Sequence, residues 1–346
     1  MSLLIVTSGE FALHQTPPGH AECPERGDTM QAVADLWRER GAVVVEPAPA
    51  TAGQLGRVHT AEHLAAMAAT AGRAVMLDPD TFTSPRTWEI ARLAAGAAVA
   101  GVDAVLDGRA TTAAALVRPP GHHAEPARAM GFCLLNNVAV AAAHALERGV
   151  PRVAIVDFDV HHGNGTQEAF KADPRVLFVS THQWPYYPGS GAADDAGVGD
   201  GEGFTVNVPI EAGATDADYD EVFRGLLMPL VAQFDPGIVL VSAGYDAHDL
   251  DPLGGMCMTA AGYANLMRQL TAAAAQCAGR RVVMVTEGGY HLPSLAASLN
   301  ASLAVMAGEP AAGREDRPPA AGGSRERGVA AAARARRIQS RYWRGL

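Results

Sequence analysis

Three ionisable side chains follow a buried apolar run at every second position. The run Val153–Asp157 is continuous and apolar, which is typical of a strand covered on both faces of a parallel sheet. Asp157, Asp159 and His161 then alternate, so that strand geometry would send all three to one face. Carboxylates and an imidazole held together at a strand end suit a divalent metal such as zinc. The alternative is a strand end with capping aspartates and solvated histidines.

Polar or glycine-rich segments follow four further apolar runs. In an open α/β sheet, ligands bind beyond the carboxyl ends of the strands. These four strand ends would therefore meet the end of the run Val153–Asp157 in one pocket. The segments are Arg118–His123, Ser180–Trp184, Ala243–Asp246 and Glu287–Tyr290.

Asp246 is the natural candidate for a third oxygen ligand to a metal at this pocket. A set of three protein ligands would leave an open position for water or substrate. Asp249 and Asp251 follow shortly after, and for them the simpler interpretation is a pair of solvated loop carboxylates.

The pair His122 and His123 follows a stiff Pro-Pro-Gly turn that would aim both rings at one place. A histidine there could act as the general base for a hydrolytic water. Asp157 could orient one imidazole, and Tyr290 could supply a phenol donor to an oxyanion. The alternative for the histidines is an exposed pair in a polar loop.

The bulk composition indicates a folded globular protein with little affinity for nucleic acid. Of the 346 residues, 48% are hydrophobic and 18% charged, enough for one large α/β domain or two smaller ones. The net charge of -10 argues against a nucleic-acid backbone as the main ligand.

The distribution of cysteine and apolar segments predicts a cytoplasmic protein. The four cysteines are scattered without a Cys-x-x-Cys pair, as expected of free thiols. The apolar stretch Ser2–Val6 predicts a first strand and not a signal peptide, and no run reaches the length of a membrane span. We therefore expect no membrane partner. A homo-oligomer is left open.

Eight apolar runs alternate with alanine-rich segments of helical spacing, among them Thr87–Leu106 and Asp218–Gln233. This alternation predicts a mostly parallel sheet with helices on both faces. The loop Thr181–Gly203 is too long for a simple connection and is expected to line a site. The runs are Leu3–Thr7, Ala42–Val45, Ala114–Val117, Val153–Asp157, Val176–Ser180, Phe204–Val208, Ile238–Ser242 and Val282–Thr286.

Five motifs in one order resemble the histone deacetylase family, in its class II-like and bacterial amidohydrolase branch. The resemblance covers about residues 10–307. The motifs are Arg118-Pro-Pro-Gly-His-His, Gly131-Phe-Cys-Leu-Leu-Asn-Asn137, Asp157-Phe-Asp-Val-His-His-Gly-Asn-Gly-Thr166, Ser242-Ala-Gly-Tyr-Asp246 through Asp251-Pro-Leu-Gly-Gly255, and Glu287-Gly-Gly-Tyr290.

The resemblance implies one arginase/deacetylase-type α/β domain over residues 1–308. Its sheet would have eight parallel strands with helices on both faces. Residues 309–328, rich in Pro, Gly and Arg, would form a flexible segment. Residues 329–346 would form a terminal helix whose aromatic anchor, Tyr342–Trp343, packs on the domain.

By motif position, the resemblance assigns chemical roles within the pocket. His123 would be the general base and acid, and His122 a neighbouring electrostatic histidine paired with Asp157. Tyr290 would polarise the substrate carbonyl. The ligands of one catalytic zinc would be Asp159, His161 and Asp246.

The resemblance also assigns a substrate path. Phe132 and Tyr187 would wall an acyl-lysine tunnel, although each alone is more often a core residue. Leu253 and Asp80 would lie at the rim, with Asp80 anchoring the substrate backbone. Arg26 would line an internal acetate channel.

Structural potassium is a further implication of the resemblance, since family members bind it through backbone oxygens. Two sites are implied. The first would involve Asp157, Asp159, His161, Ser180 and Thr181, and the second Phe170, Asp173, Val176 and Phe204.

The implied function is zinc-dependent hydrolysis of N-ε-acetyl-lysine, in a peptide or protein, or of a similar acylated amine. Asn164 stands where class I enzymes have Asp, as it does in class II-like members, and Tyr290 is not replaced by His. Leu253 stands where a polyamine-selective relative carries a glutamate, which favours acyl-lysine or small acylated amines over acetylpolyamines. The alternatives are an acetylpolyamine amidohydrolase, a binuclear manganese hydrolase and a non-enzymatic acyl-ligand scaffold.

Overall fold

All eight predicted runs form strands of one parallel sheet in the computed structural model. The structure describes residues 2–309 and 324–346. The order of strands is β2-β1-β5-β10-β9-β6-β7-β8, and β3 and β4 form a separate antiparallel hairpin. The strands are β1 (Leu3–Val6), β2 (Val43–Val45), β3 (Val75–Met76), β4 (Phe82–Thr83), β5 (Thr112–Ala115), β6 (Val153–Asp157), β7 (Val176–Gln183), β8 (Thr205–Ile210), β9 (Ile238–Ala243) and β10 (Val282–Thr286).

Helices cover both faces of the sheet, which confirms the predicted α/β class. None of those in the described ranges is long and apolar enough to cross a membrane. The helices are α1 (Glu25–Glu39), α2 (Ala52–Leu55), α3 (Ala61–Ala68), α4 (Thr87–Leu106), α5 (Asn137–Glu147), α6 (Asn164–Phe170), α7 (Asp216–Val222), α8 (Met228–Phe234), α9 (Ala260–Cys277), α10 (Leu292–Ala307) and α11 (Glu326–Gln339).

Successive residues of each central strand pack into two different cores. On β6, Val153 and Ile155 join the core beneath α4 and α5, while Ala154 and Val156 join the core beneath α1, α9 and α10. Because neither face is exposed to solvent, the strands are apolar throughout and do not alternate with polar residues. This is why their positions are predictable from sequence.

Strand β5 begins and ends two residues earlier than its apolar run predicts. The run Ala114–Val117 was expected, but the strand is Thr112–Ala115. The N–H of Val117 donates to the Thr286 hydroxyl (2.8 Å) and not to a backbone carbonyl. Two prolines, Pro119 and Pro120, then follow and have no N–H for a ladder.

The helical segment after β8 is divided by one wide turn. A π-helical stretch, Phe223–Leu227, lies between α7 and α8. Pro229 stands in the first turn of α8, where it has no N–H to donate back along the helix. The helical spacing of Asp218–Gln233 predicted one continuous helix here, and α2, α6 and α10 were not predicted.

The C-terminal helix α11 lies against β8, the edge strand of the sheet. Gln339 Nε2 donates to the backbone oxygen of Thr205 (2.9 Å), and the Trp343 indole N–H donates to Gly203 (2.9 Å). The Trp343 ring packs edge-on against Phe204 at 5.5 Å between centroids. Of the segment proposed as flexible, residues 310–323 lie outside the described residues.

Candidate active site

The first part of the site is the turn that follows β6. The strand ends at Asp157, so Asp159 and His161 do not lie on it. The N–H of Asp159 donates to Asp157 Oδ1 (3.0 Å), and the N–H of His161 donates to Asp159 Oδ1 (2.9 Å). The three side chains therefore converge through two side-chain-to-backbone turns, and not through the strand alternation expected from the sequence.

Asp159, His161 and Asp246 form one buried cluster of metal-ligand type. Their ligand atoms all lie within 4.8 Å of one another. His161 Nδ1 is 3.0 Å from Asp159 Oδ1 and 3.1 Å from Asp246 Oδ2. Asp246 reaches this point because β9 pairs directly with β6, which places the two strand ends side by side.

Two glycines make room for the carboxylates of this cluster. A Cβ at Gly244 would overlap the Asp159 carboxylate, and one at Gly288 would overlap Asp246 Oδ2. The N–H of Gly288 also donates to Asp159 Oδ2 (2.8 Å). A side chain at either glycine would displace a carboxylate.

The electrostatics of the cluster favour a bound cation. Burial, and then the charge of Asp159, raise the pKa of Asp246 to about 7. Burial alone would lower the pKa of His161, but the hydrogen-bonded carboxylates of Asp159 and Asp246 outweigh it and raise that pKa to about 10. Two carboxylates and one imidazole match the ligands that zinc uses, so the residues present fit a divalent metal.

The adjacent histidines have opposite electrostatic surroundings. Their ring centroids are 4.0 Å apart. Burial disfavours a charged His122, but Asp159 and Asp157 outweigh burial and raise its pKa to about 10. Burial and the neighbouring charge of His122 hold the pKa of His123 well below its usual range. The pair therefore combines an imidazolium at His122 with a neutral imidazole at His123.

Hydrogen bonds determine which nitrogen of His123 faces the pocket. Asn164 Nδ2 donates to Glu125 Oε1 (2.8 Å), so Asn164 Oδ1 is turned toward His123 Nδ1 at 2.7 Å. Nδ1 must then carry the hydrogen. The Nε2 lone pair of His123 is left free to accept a proton. His122 Nδ1 lies 3.0 Å from Asp157 Oδ2.

Glu287 supports the histidine pair, and the sequence reasoning assigned it no role. Its Oε2 accepts the N–H groups of Gly121 (2.7 Å) and His122 (3.1 Å). Its Oε1 accepts the Ser242 hydroxyl (2.9 Å). The sequence feature that could have indicated a role for Glu287 was its place in the Glu-Gly-Gly-Tyr motif, directly after β10.

A pocket of about 220 Å³ opens above these groups, and it brings the predicted tunnel and rim residues together. The site residues Asp80, Phe132, Tyr187 and Leu253, assigned from the family resemblance, all line it. Tyr186 lines it too, although the sequence reasoning did not select it. The lining residues are Asp80, His123, Gly131, Phe132, His161, Tyr186, Tyr187, Leu253 and Tyr290.

Aromatic rings form most of the pocket wall. Tyr187 stands perpendicular to the His123 ring at 5.1 Å between centroids, and Tyr186 stacks on His161 at 5.6 Å. Phe132 lies edge-on to Tyr290 at 5.8 Å. Phe132 has a φ of 68°, a left-handed conformation that is costly for an aromatic residue. Its N–H is held by the Thr81 hydroxyl at 3.1 Å.

The rim combines an acidic and an apolar residue. Burial, and then the neighbouring Asp78, raise the pKa of Asp80, whose Oδ1 accepts the Thr81 hydroxyl at 3.0 Å. On the other side, the Leu253 carbonyl accepts the Tyr186 hydroxyl (3.2 Å).

Arg26 is fully buried beside Tyr290. Its guanidinium lies over the Tyr290 ring at 4.9 Å from the centroid. It donates to the carbonyls of Gly289 (2.7 Å) and Glu287 (2.6 Å) and to Glu22 Oε1 (2.9 Å). A role in an acetate channel stays a prediction.

The residues proposed for potassium fall into two neighbouring groups. In the first, Asp157 pairs in register with Ser180, and the Thr181 hydroxyl donates to the Asp157 carbonyl (3.3 Å). The second lies at the turn between α6 and β7 and at the start of β8. There the carbonyls of Phe170, Asp173 and Phe204 accept the N–H groups of Asp173, Val176 and Phe178, respectively. Potassium binding stays a prediction.

Asp251 is not the solvated carboxylate that its loop position suggested. It is only 7% exposed. Its Oδ2 accepts the N–H of Tyr290 at 2.6 Å, so it lies directly behind the tyrosine of the pocket.

Known proteins are similar to this chain over most of its length. The histone deacetylase domain matches residues 20–306. A probable deacetylase of Archaeoglobus fulgidus is 40% identical over 311 residues, which cover 88% of this chain and 86% of the relative. The polyamine deacetylase HDAC10 of Mus musculus is 42% identical over 323 residues, covering 86% of this chain and 46% of the relative.

A solved structure agrees with the fold over nearly the whole chain. The crystal structure of the HDA15 HD domain superposes with a TM-score of 0.89 at 37% identity, covering 99% of this chain and 95% of that one. The arginase/deacetylase-type fold is thereby confirmed. The chain belongs to the histone deacetylase family.

Proposed function

We propose that this protein is a zinc-dependent deacylase that hydrolyses the amide of N-ε-acetyl-lysine or of a similar acylated amine. One observation carries the proposal. The cluster of Asp159, His161 and Asp246, the neutral His123 and the Tyr290 ring meet at one narrow aromatic pocket. Membership of a deacetylase family supports amide hydrolysis as the reaction.

The residues present would hold one zinc ion at the cluster. Zinc held there by Asp159, His161 and Asp246 would supply polarisation of the acyl carbonyl and acidification of water. The remaining chemistry belongs to side chains of this chain.

His123 is the proton carrier of the proposed reaction. Its Nε2 takes a proton from the attacking water and then delivers one to the leaving amine. Asn164 keeps the hydrogen on Nδ1, so that Nε2 starts as an acceptor. His122, charged and paired with Asp157, stabilises developing negative charge and keeps His123 neutral before the reaction.

Tyr290 supplies a hydrogen bond to the oxyanion. Burial holds the pKa of its phenol well above the ordinary value, so the phenol keeps its proton at neutral pH and can donate it. A donor of this kind stabilises the transition state more than the ground state.

The shape of the pocket supports a long, thin acylated amine. Phe132 and Tyr187 offer flat apolar walls for a methylene stem. Apolar Leu253 at the rim favours an acyl-lysine peptide. Asp80 at the same rim is the observation that favours the alternative, an acetylpolyamine with a second cationic group, and one relative is named a polyamine deacetylase.

A substrate panel tests the proposal. The purified protein is assayed with an acetyl-lysine peptide, N-acetylputrescine and N-acetylspermidine, and metal content is measured alongside. We expect one zinc per chain and the highest kcat/KM on the peptide. Two manganese ions per chain would contradict the zinc assignment, and a higher kcat/KM on the polyamines would favour the alternative.

Replacing Tyr290 tests the mechanism. Tyr290→Phe should retain zinc and lose about 100–1000-fold in kcat, the usual effect of removing one oxyanion donor. Tyr219→Phe is the matched control, because Tyr219 is buried but does not line the pocket. Near-normal turnover of Tyr290→Phe would show that the phenol has no catalytic role.

Structural potassium and a cytoplasmic location stay predictions.

A further inference from the structure

The tyrosine of the pocket stands on a backbone that needs external support. Tyr290 follows Gly288 and Gly289, and Gly289 has a φ of 121°, which side-chain-bearing residues rarely adopt. Two consecutive glycines leave the chain free to take many conformations. The ring contacts of Tyr290 with Phe132 and Arg26 restrict its plane but leave its position along the pocket to the backbone.

Asp251 supplies this support through three backbone hydrogen bonds. Its Oδ2 accepts the N–H groups of Tyr290 (2.6 Å) and His291 (3.2 Å). Its Oδ1 accepts the N–H of Leu253 (2.9 Å). One buried carboxylate thus joins the loop after β9 to the loop after β10.

The chemistry of this arrangement requires a carboxylate. A buried carboxylate is unfavourable unless its lone pairs are used, and here both oxygens accept from N–H groups. An asparagine at position 251 would have one oxygen only, and its NH₂ group would face a backbone donor on one side. Such a side chain cannot accept from Leu253 on one side and from Tyr290 and His291 on the other at once.

We propose that Asp251 is a positioning residue that fixes the Tyr290 phenol relative to the metal ligands and ties it to the rim at Leu253. This inference rests on the proposed function of Tyr290. Displacement of a catalytic group by about 1 Å is enough to cost about 100-fold in rate. Because the Leu253 carbonyl also accepts the Tyr186 hydroxyl, the same carboxylate links the pocket mouth to its base.

The test measures Asp251→Asn and Asp251→Ala in the zinc-loaded full chain with an acetyl-lysine peptide. We expect kcat to fall ~10–100-fold, the cost of a misplaced catalytic group, while KM changes less than about threefold. Zinc content should stay at one per chain. In a Tyr290→Phe background the same substitutions should change kcat by less than about threefold, because the phenol that they misplace is already gone.

Asp218→Asn is the matched control. Asp218 is also fully buried and accepts two backbone N–H groups, from Thr215 (2.9 Å) and Gly328 (2.8 Å), but it joins α7 to α11 and lines no part of the pocket. It should lower thermal stability to a similar extent and leave kcat per folded molecule unchanged.

Three results would overturn the inference. These are unchanged kcat in Asp251→Asn, an undiminished effect of Asp251→Ala in the Tyr290→Phe background, and failure of both variants to fold while Asp218→Asn folds. The first and third would assign Asp251 to stability alone, and the second would show that it acts on turnover by a route other than Tyr290. A wild-type protein without turnover on any acylated amine would instead contradict the proposed function, and so the two failures are distinguishable.

Discussion

Two clusters of buried charge lie near Tyr290 and differ in their ratio of carboxylates to basic groups. In one, two guanidiniums surround a single carboxylate, whereas in the other two carboxylates surround a single imidazole. We name them the arginine cluster (Glu22, Arg26 and Arg118) and the ligand cluster (Asp159, His161 and Asp246).

In the arginine cluster, every charge has a protein partner. Arg118 binds both oxygens of Glu22 at 2.7 and 2.8 Å, and Arg26 binds Oε1 at 2.9 Å. Further N–H groups of Arg118 donate to the carbonyls of Phe11 and His14. Burial would raise the pKa of Glu22, but the Arg118 charge and its other partners outweigh burial and lower it to about 2.

In the ligand cluster, two carboxylates share a single imidazole, so carboxylate is in excess even when that imidazole is charged. The pKa of Asp246 is raised to about 7 and that of His161 to about 10, as expected where negative charges repel each other and attract protons. A buried carboxylate matched by guanidiniums therefore serves the fold, whereas an excess of buried carboxylate marks a place for an external cation.

The largest effect should come from breaking the arginine cluster. Glu22→Gln would leave Arg26 and Arg118 buried without a carboxylate, which should lower the free energy of unfolding by about 3–5 kcal/mol. Chemical denaturation measures the change. The exposed Glu89→Gln, which loses only its surface pair with Arg86, should change little. Equal effects of the two variants would contradict the comparison.

The ligand cluster should behave in the opposite way. Zinc at 1,000 times its Kd should raise the free energy of unfolding by about 4 kcal/mol. Asp246→Asn should lose most of this increment yet not destabilise the metal-free protein, because it removes one of two repelling carboxylates. Thermal denaturation with zinc and with a chelator measures both. A metal-free Asp246→Asn as unstable as Glu22→Gln would show that the ligand cluster is balanced internally.

Acid titration of stability sharpens the same contrast. The pKa of Glu22 is about 2 in the folded protein against 4.5 as its ordinary value. A lowered folded pKa means that the stabilisation is fully present above pH 4.5 and is lost as the pH falls toward 2. The shift corresponds to about 3 kcal/mol. Wild-type protein should lose this increment in that window, and Glu22→Gln should not. Parallel pH profiles would refute the assignment.

A smaller effect should follow from adding charge next to the ligand cluster. Asn164→Asp places a carboxylate beside His123 Nδ1, which should raise the pKa of His123 by about 1 unit. Because His123 must be neutral to act as a base, the acid limb of the kcat/KM profile should move to higher pH. Asn300→Asp, at a site on α10 that binds Trp37, is the control. An unshifted limb would argue against His123 as the base.

Much of the fold was predictable because the strands are buried on both faces. Runs such as Val153–Asp157 and Val282–Thr286 coincide with β6 and β10. Helix α4, Thr87–Leu106, was also located from its spacing. In contrast, α10 is apolar around much of its circumference, so its apolar residues do not repeat with a clear helical period. Helix α6 starts within a glycine-rich turn, which indicated a loop.

The residue types of the candidate site were also readable from the chain. Asp159, His161 and Asp246 each follow an apolar run closely, and their chemistry is local to the motif. Roles carried by long-range partners were not readable. Glu22 was missed because its partner Arg118 lies 96 positions away. Asp251 looked like one of several loop carboxylates.

Strands, glycine-rich turns and the set of reactive side chains can be identified along the chain, because burial patterns and steric freedom act over a few residues. Which charges meet depends on the packing of the whole domain. The order β10-β9-β6 brings Glu287, Asp246 and Asp157 to one edge of the sheet. It also leaves the carboxylate of Asp251 under the backbone of Tyr290. Electrostatic partners are chosen by distance in space, and that distance exists only once the strands have been ordered.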